Sequence, residues 1–253
     1  MAAAFVLMVG VSGCGERHAS SQDGRLLVLA AAGGTLAIED IVRTYEARTG
    51  EDVSVVLGSS GDLSAQIRYG APADVFLSAD ASFMDGLVES GHIDPASRRV
   101  YAAGRLALVV PPGQVLPGSV HALADPGFRF LAIANPQHAP YGRAAREALE
   151  GLGLWSELQP RMVLGENVAQ SLQFVRTGNA DAGLVALSLV RGAPGEALPH
   201  SLVDASLHAP LPQVAGITVS SQQALRAGAF LDFVVSPAGQ EILARYGFDP
   251  SAS

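Results

Sequence analysis

The chain has 253 residues, which is one large domain or two smaller ones at about 150 residues per domain, and with 49% hydrophobic against 16% charged residues it is globular, not disordered. Acidic residues outnumber basic ones 24 to 16, giving a net charge of −8, and no basic stripe runs along the chain, so nucleic acid is excluded as a partner. All 16 basic residues are arginines, which rules out Schiff-base or P-loop lysine chemistry, and the one cysteine, Cys14, can form neither an internal disulfide nor a thiolate metal site.

Residues 2–11 are an apolar run of ten, too short to cross a hydrocarbon core of about 30 Å as a helix but suited to the core of a signal peptide. The run leads into Val11-Ser12-Gly13-Cys14, which resembles a bacterial lipobox. That resemblance implies a signal peptide over 1–13, lipidation at Cys14 and a polar tether over 14–24. A plain secretory signal with an incidental cysteine is the alternative. The folded part is expected from about Arg25.

Leu26-Leu27-Val28-Leu29-Ala30 reads as a buried parallel strand, and Ala37, Ile38, Ile41, Val42 and Tyr45 fall at helical spacing before a stop at Gly50. Val53 to Leu57 is the next strand, Leu63 to Tyr69 a short helix and Asp74 to Leu77 a third strand, with Gly58-Ser59-Ser60-Gly61 and Gly70-Ala71-Pro72 as breaks. This alternation implies a parallel sheet. Leu106 to Val110, Phe130 to Ala134 and Gly183 to Leu187 read as strands of a second sheet, with helices at Ala144 to Leu152 and Val168 to Val175. Ser236-Pro237 opens a final helix and Tyr246-Gly247 closes it.

The expected fold is therefore α/β with two lobes, each a mostly parallel sheet flanked by helices. Lobe 1 takes about residues 25–104 and 212–253, and lobe 2 about 105–211. Ligands of open parallel sheets sit beyond the carboxyl ends of the strands. There the sequence places Ala31-Ala32-Gly33-Gly34-Thr35, Gly58-Ser59-Ser60-Gly61 and Ser78-Ala79-Asp80, each leading into a helix. Small residues with free amides at helix N-termini suit an anion, although any one such loop alone reads as an ordinary cap. The six histidines show no metal-ligand spacing.

Those three loops, together with Gly70-Ala71-Pro72-Ala73-Asp74-Val75-Phe76-Leu77-Ser78-Ala79-Asp80, Ala139-Pro140-Tyr141-Gly142, Gly165-Glu166-Asn167-Val168, Gly178-Asn179-Ala180-Asp181-Ala182-Gly183 and Tyr246-Gly247-Phe248, resemble in order the periplasmic molybdate-binding proteins of ABC importers. The resemblance implies a type II periplasmic binding protein, a monomer and not an enzyme, that closes on molybdate or tungstate without a cofactor. It implies oxyanion contacts from Gly33, Ser60, Ala79, Tyr141 and Val168, with Thr35 and Ser59 as lesser candidates. Its partners would be a membrane permease and an ATPase, and the only attachment to a membrane would be the lipid anchor.

Two departures stand out. The family usually has serine or asparagine where this chain has Gly33, and one branch has a ligand tyrosine where this chain has Ala186. Tyr141 is expected to replace the second, and Gly33→Ser is expected to be tolerated or to tighten binding. Arg143 and Arg146 are expected to pair with Glu147 or Glu150 at the surface, outside the site. Another oxyanion, such as sulfate, is the alternative ligand. A serine hydrolase built on Ser59 or Ser60 with Asp80 and a histidine is the remote rival, but Gly58-Ser59-Ser60-Gly61-Asp62 does not fit the Gly-x-Ser-x-Gly turn.

Overall fold

In the computed structural model, which describes residues 24–191 and 198–250, β1 (Leu26–Ala31) is an aliphatic strand buried almost throughout, as a strand covered on both faces must be. A 3-10 turn at Ala32–Gly34 leads into α1 (Thr35–Thr49), which stops where Gly50 takes φ 73°, a left-handed cap free of Cβ cost only for glycine. β2 (Val53–Gly58), α2 (Ser60–Arg68), β3 (Val75–Ser78) and α3 (Ala81–Glu89) repeat the unit. After β4 (Arg99–Gly104) the chain crosses at Arg105 into β5 (Leu106–Val109) of a second sheet. There follow β6 (Leu131–Ala134), α4 (Pro140–Gly151), the one-turn α5 (Trp155–Leu158), β7 (Met162–Gly165), α6 (Val168–Arg176), β8 (Ala182–Ala186), α7 (Leu187–Arg191) and β9 (His200–Leu202). The chain returns to the first sheet as β10 (Leu211–Ile217) and finishes with α8 (Ala224–Val235) and α9 (Pro237–Arg245), the latter capped by Ser236 with Pro237 in its first turn. The signal segment and Cys14 lie outside the described residues.

The two sheets are built alike, in the orders β2-β1-β3-β10-β4 and β7-β6-β8-β5-β9. β1 is parallel to β2 and β3, and β6 to β7 and β8, as the strand-helix alternation requires. β10 and β5 are antiparallel to both of their neighbours, so each sheet is mostly parallel, as expected, with one reversed strand among four that run the same way. The reason lies in the crossovers. Leu106 pairs with Ala186 and Val214 with Ser78, so β5 and β10 each enter their sheet at the end where the parallel strands finish and must run back against them.

Register places the loops. Ala31 lies opposite Gly58, and Ala134 opposite Gly165, so the loops that follow each pair of strands leave their sheet level with one another. Helices cover both faces of the first sheet, with Ile38, Ile41, Phe230 and Leu243 in one core and Leu63, Ile67, Met84 and Leu87 in the other. The core of the second sheet, around Leu108, Ile133, Leu149 and Leu184, reaches across to take in Ala31 and Ala79 of the first. No helix among the described residues is long and apolar enough to cross a membrane.

Candidate binding site between the lobes

Where the loops of the two sheets face each other there is a small pocket, lined on the lobe 1 side by Ala31 to Gly33, Gly58 to Ser60 and Ala79, and on the lobe 2 side by Ala139 to Tyr141, Asn167 and Val168. Gly33, Ser60, Ala79, Tyr141 and Val168 all meet there, with Ser59. Thr35 does not: its hydroxyl turns back to donate to the Ala32 carbonyl at 2.8 Å. The space left inside it is about 10 Å³, room for about one water, so the cleft as it stands admits no organic ligand.

On lobe 1, Ser59 caps α2. Its oxygen accepts the Asp62 amide at 3.1 Å and its hydrogen goes to the Asp62 carboxylate at 2.7 Å, so Ser59 is occupied in holding the helix start. Ser60, the next residue and fully buried, accepts the Ala79 amide on its Oγ at 2.9 Å. The Ala79 amide expected to face the ion is thus bound to Ser60 instead, and it polarises a hydroxyl whose own hydrogen is still to be given. On lobe 2, Asn167 caps α6 by accepting the Ala169 and Gln170 amides, both at 3.1 Å. The Val168 amide, first in that helix, has no partner among the described residues. No charged side chain lines the pocket, so hydroxyls, amides and the positive ends of α2 and α6 supply its attraction for an anion.

Tyr141 enters from the first turn of α4 and is only 2% exposed. Burial pushes its phenol pKa upward, with the nearby Ser188 hydroxyl opposing, so the group stays protonated and able to donate. Ser188, on α7, gives its own hydrogen to the Gly33 carbonyl across the cleft, and the phenol oxygen has no hydrogen-bond partner among the described residues. The ring lies edge-on to Gly33: a Cβ there would sit 2.6 Å from Tyr141 Cε2. Gly33→Ser, expected to be tolerated, would require the Tyr141 ring to shift.

Two clasps the sequence does not reveal close the rim. His138 places Nδ1 3.0 Å from the Ser59 hydroxyl and 3.2 Å from the Asp62 carboxylate, and its carbonyl accepts the Gly61 amide at 2.9 Å. Arg143 pairs with Asp80 across the cleft, its guanidinium 5.2 Å from the Phe83 ring centre, and not with Glu147 or Glu150. Only Arg146 makes the expected surface pair, with Glu150 at 2.8 Å. Arg143 lies two residues beyond Tyr141 in the same first turn, and that proximity was the available signal. The Ser59, His138 and Asp62 trio is not a hydrolytic relay: one nitrogen of His138 meets both partners, whereas a relay needs the serine and the carboxylate on opposite ring nitrogens. Among the described residues no cluster suited to a metal ion occurs.

Two α/β lobes, joined by two crossovers and facing each other over a small pocket of amides and hydroxyls, define a solute-binding protein. The chain belongs to the bacterial extracellular solute-binding protein family, whose profile matches residues 26–249. It is 36% identical over 226 residues to the molybdate-binding protein ModA of Rhodobacter capsulatus, covering 89% of this chain and 88% of that one. It is 30% identical to a putative ABC transporter substrate-binding lipoprotein of Bacillus subtilis, covering 97% and 95% of the two chains. The solved periplasmic molybdate-binding protein of Azotobacter vinelandii superposes with a TM-score of 0.85 at 34% identity, over 90% of this chain and all of that one.

Proposed function

We propose that the chain captures molybdate, or tungstate of the same shape, between its lobes and delivers it to the permease of an ABC importer driven by a cytoplasmic ATPase. The observation that carries this is the convergence of Gly33, Ser60, Ala79, Tyr141 and Val168 on one small pocket without a charged lining. An oxyanion entering the open cleft meets Ser60 and the start of α2 first. Rotation about the crossovers then brings the Val168 amide and the Tyr141 phenol onto it and removes its water. Hydrogen bonds to an ion contribute about 1.5–3 kcal/mol each, so a few neutral donors suffice in a dry cleft. The net charge of −8 opposes long-range attraction of a dianion, so affinity arises from these local dipoles. The closed form is what the permease would recognise, and the protein acts as a monomer that binds and releases without chemical change to its ligand.

Titration calorimetry of the purified chain with molybdate, tungstate, sulfate and phosphate tests this. Tight binding of molybdate and tungstate with weak or no binding of the other two is expected; preference for sulfate would move the assignment to a sulfate carrier. We further propose periplasmic placement through lipid on Cys14, with residues 15–24 as tether. Cys14→Ser should then release the protein from membranes or stall its processing, and a wild-type protein recovered soluble with a different first residue would refute the anchor.

A further inference from the structure

We propose that Arg143 works in two states: in the open cleft its guanidinium draws the oxyanion in, and on closure Asp80 and Phe83 of lobe 1 take it over and delay release. The inference rests on reading the cleft as an oxyanion site. Arg143 sets the rates of capture and release without touching the bound ion.

The receiving side is built entirely within lobe 1. Asp80 caps α3: its Oδ1 accepts the Ser82 amide at 2.6 Å and the Ser82 hydroxyl at 2.5 Å. Ser78 fixes the Asp80 backbone, giving its hydrogen to the Asp80 carbonyl at 2.7 Å and accepting the Asp80 amide at 3.2 Å. Those bonds do not involve lobe 2, and they leave Oδ2 for Arg143. In the first turn of α3 the Phe83 ring covers the guanidinium, whose central carbon is 5.2 Å from the ring centre. Lobe 2 holds no such receiver among the described residues of α4, because Glu147 is tied to the Ala209 amide at 2.8 Å and Glu150 to Arg146 at 2.8 Å. Opening the cleft therefore uncovers a cation two residues from Tyr141 and leaves Asp80 on the opposite rim.

The pair also stands where traffic passes. A cavity of about 290 Å³ is lined by Asp80 and Ser82 of lobe 1 and by Arg143 and Glu147 of lobe 2, and Pro140 belongs both to it and to the oxyanion pocket. Solvent thus reaches the side of the closed pocket at the Arg143 and Asp80 pair. With side chains 35% and 18% exposed, that pair contributes little to the fold by itself. Its charges matter to a dianion approaching a chain of net charge −8: a bare guanidinium at the rim raises the local concentration of anions, whereas one neutralised by Asp80 does not. Rim charges act on association rates and their salt dependence, and pairs made across an interface act on dissociation.

The test is stopped-flow mixing of molybdate with the full chain, followed by intrinsic fluorescence, at about 0.01 M and about 0.15 M salt, where the screening length falls from about 30 Å to about 8 Å. Arg143→Gln should slow association about tenfold at the lower salt and much less at the higher, and should speed dissociation. Asp80→Asn keeps a capping side chain on α3, so association should match or exceed wild type while dissociation speeds up. Arg143→Lys should restore association but not slow release, since its ammonium keeps the charge and lacks the planar fork. Association of Arg143→Gln equal to wild type at low salt, or slowed alike by all three substitutions, would overturn the proposal. If the wild type takes sulfate in place of molybdate, the functional reading fails while the same rates, read with sulfate, still decide the role of Arg143. A wild-type chain that binds no oxyanion overturns both.

Discussion

On the lobe 1 wall the Ser60 hydroxyl already holds the Ala79 amide and Ser59 is bound to Asp62, whereas on the lobe 2 wall the Tyr141 phenol and the Val168 amide have no partner among the described residues. Both walls come from the same unit, a strand ending level with its neighbour and a loop that starts a helix, yet they leave the cleft in different states. A buried donor without a partner costs about 1–3 kcal/mol. Lobe 1 therefore presents a finished surface that can meet an ion while the cleft is open. Lobe 2 carries donors that burial penalises, and under the proposed function an anion would answer them and so favour the closed form. The clasps at His138 and Arg143 are the protein's own contribution to closure, and their partners on lobe 1 are Ser59, Gly61, Asp62 and Asp80.

The largest effect on this division should come from Gly61→Ala. Gly61 belongs to α2, where alanine improves helix propensity by about 1 kcal/mol, so the open protein should melt no lower than wild type. In the closed form the new Cβ would fall 2.6 Å from the His138 carbonyl oxygen and 2.9 Å from its Cα, backbone that cannot step aside. Overpacking of this kind costs about 1–3 kcal/mol, and loss of the Gly61 to His138 hydrogen bond adds about 1, so molybdate affinity should drop roughly hundredfold by calorimetry. A melting temperature that falls while affinity holds would show that closure does not bring these residues together.

Ser60→Ala should come next. It removes a donor to the ion and leaves the buried Ala79 amide without its acceptor, so binding should weaken about tenfold to hundredfold and the ligand-free protein should also lose about 1–3 kcal/mol of stability in denaturant titrations. Both losses together mark a preformed lobe 1 wall. Loss of affinity alone would mean that Ala79 finds another acceptor.

How far these walls could be read from the chain depends on what fixes each part. β1, β2 and β3 are aliphatic runs ended by glycine, proline or serine breaks, and α9 announces itself by Ser236-Pro237, so local composition suffices. β4 begins with Arg99 and leaves Val100 exposed, β7 leaves Leu164 exposed, and Ala224–Val235 of α8 is apolar on most sides, so none of them has a clean period. The antiparallel entry of β5 and β10 is a property of the crossovers, which no local pattern records. At the site, main-chain donors were legible because a loop after a strand has one place to go. The clasps were not, since Arg143 is 63 residues from Asp80 in sequence and His138 is 79 from Ser59, and only closure of the lobes makes them neighbours.

The smallest expected effect falls on the lobe 2 wall and separates its two roles. Tyr141→Phe keeps the ring against Gly33 and removes only the phenol oxygen, the group that burial leaves without a hydrogen bond. Deleting an unsatisfied buried polar atom is close to neutral or stabilising, so the ligand-free protein should melt at or slightly above the wild-type temperature, opposite to Ser60→Ala. If the oxygen is answered by the anion, molybdate affinity should still fall about tenfold, the loss of one hydrogen bond to an ion. A lower melting temperature would instead make the hydroxyl a structural contact within α4, and the contrast between the two walls would fail. Unchanged affinity with unchanged stability would leave the ring as filler of the cleft and place every side-chain donor on lobe 1, with Val168 alone answering from lobe 2.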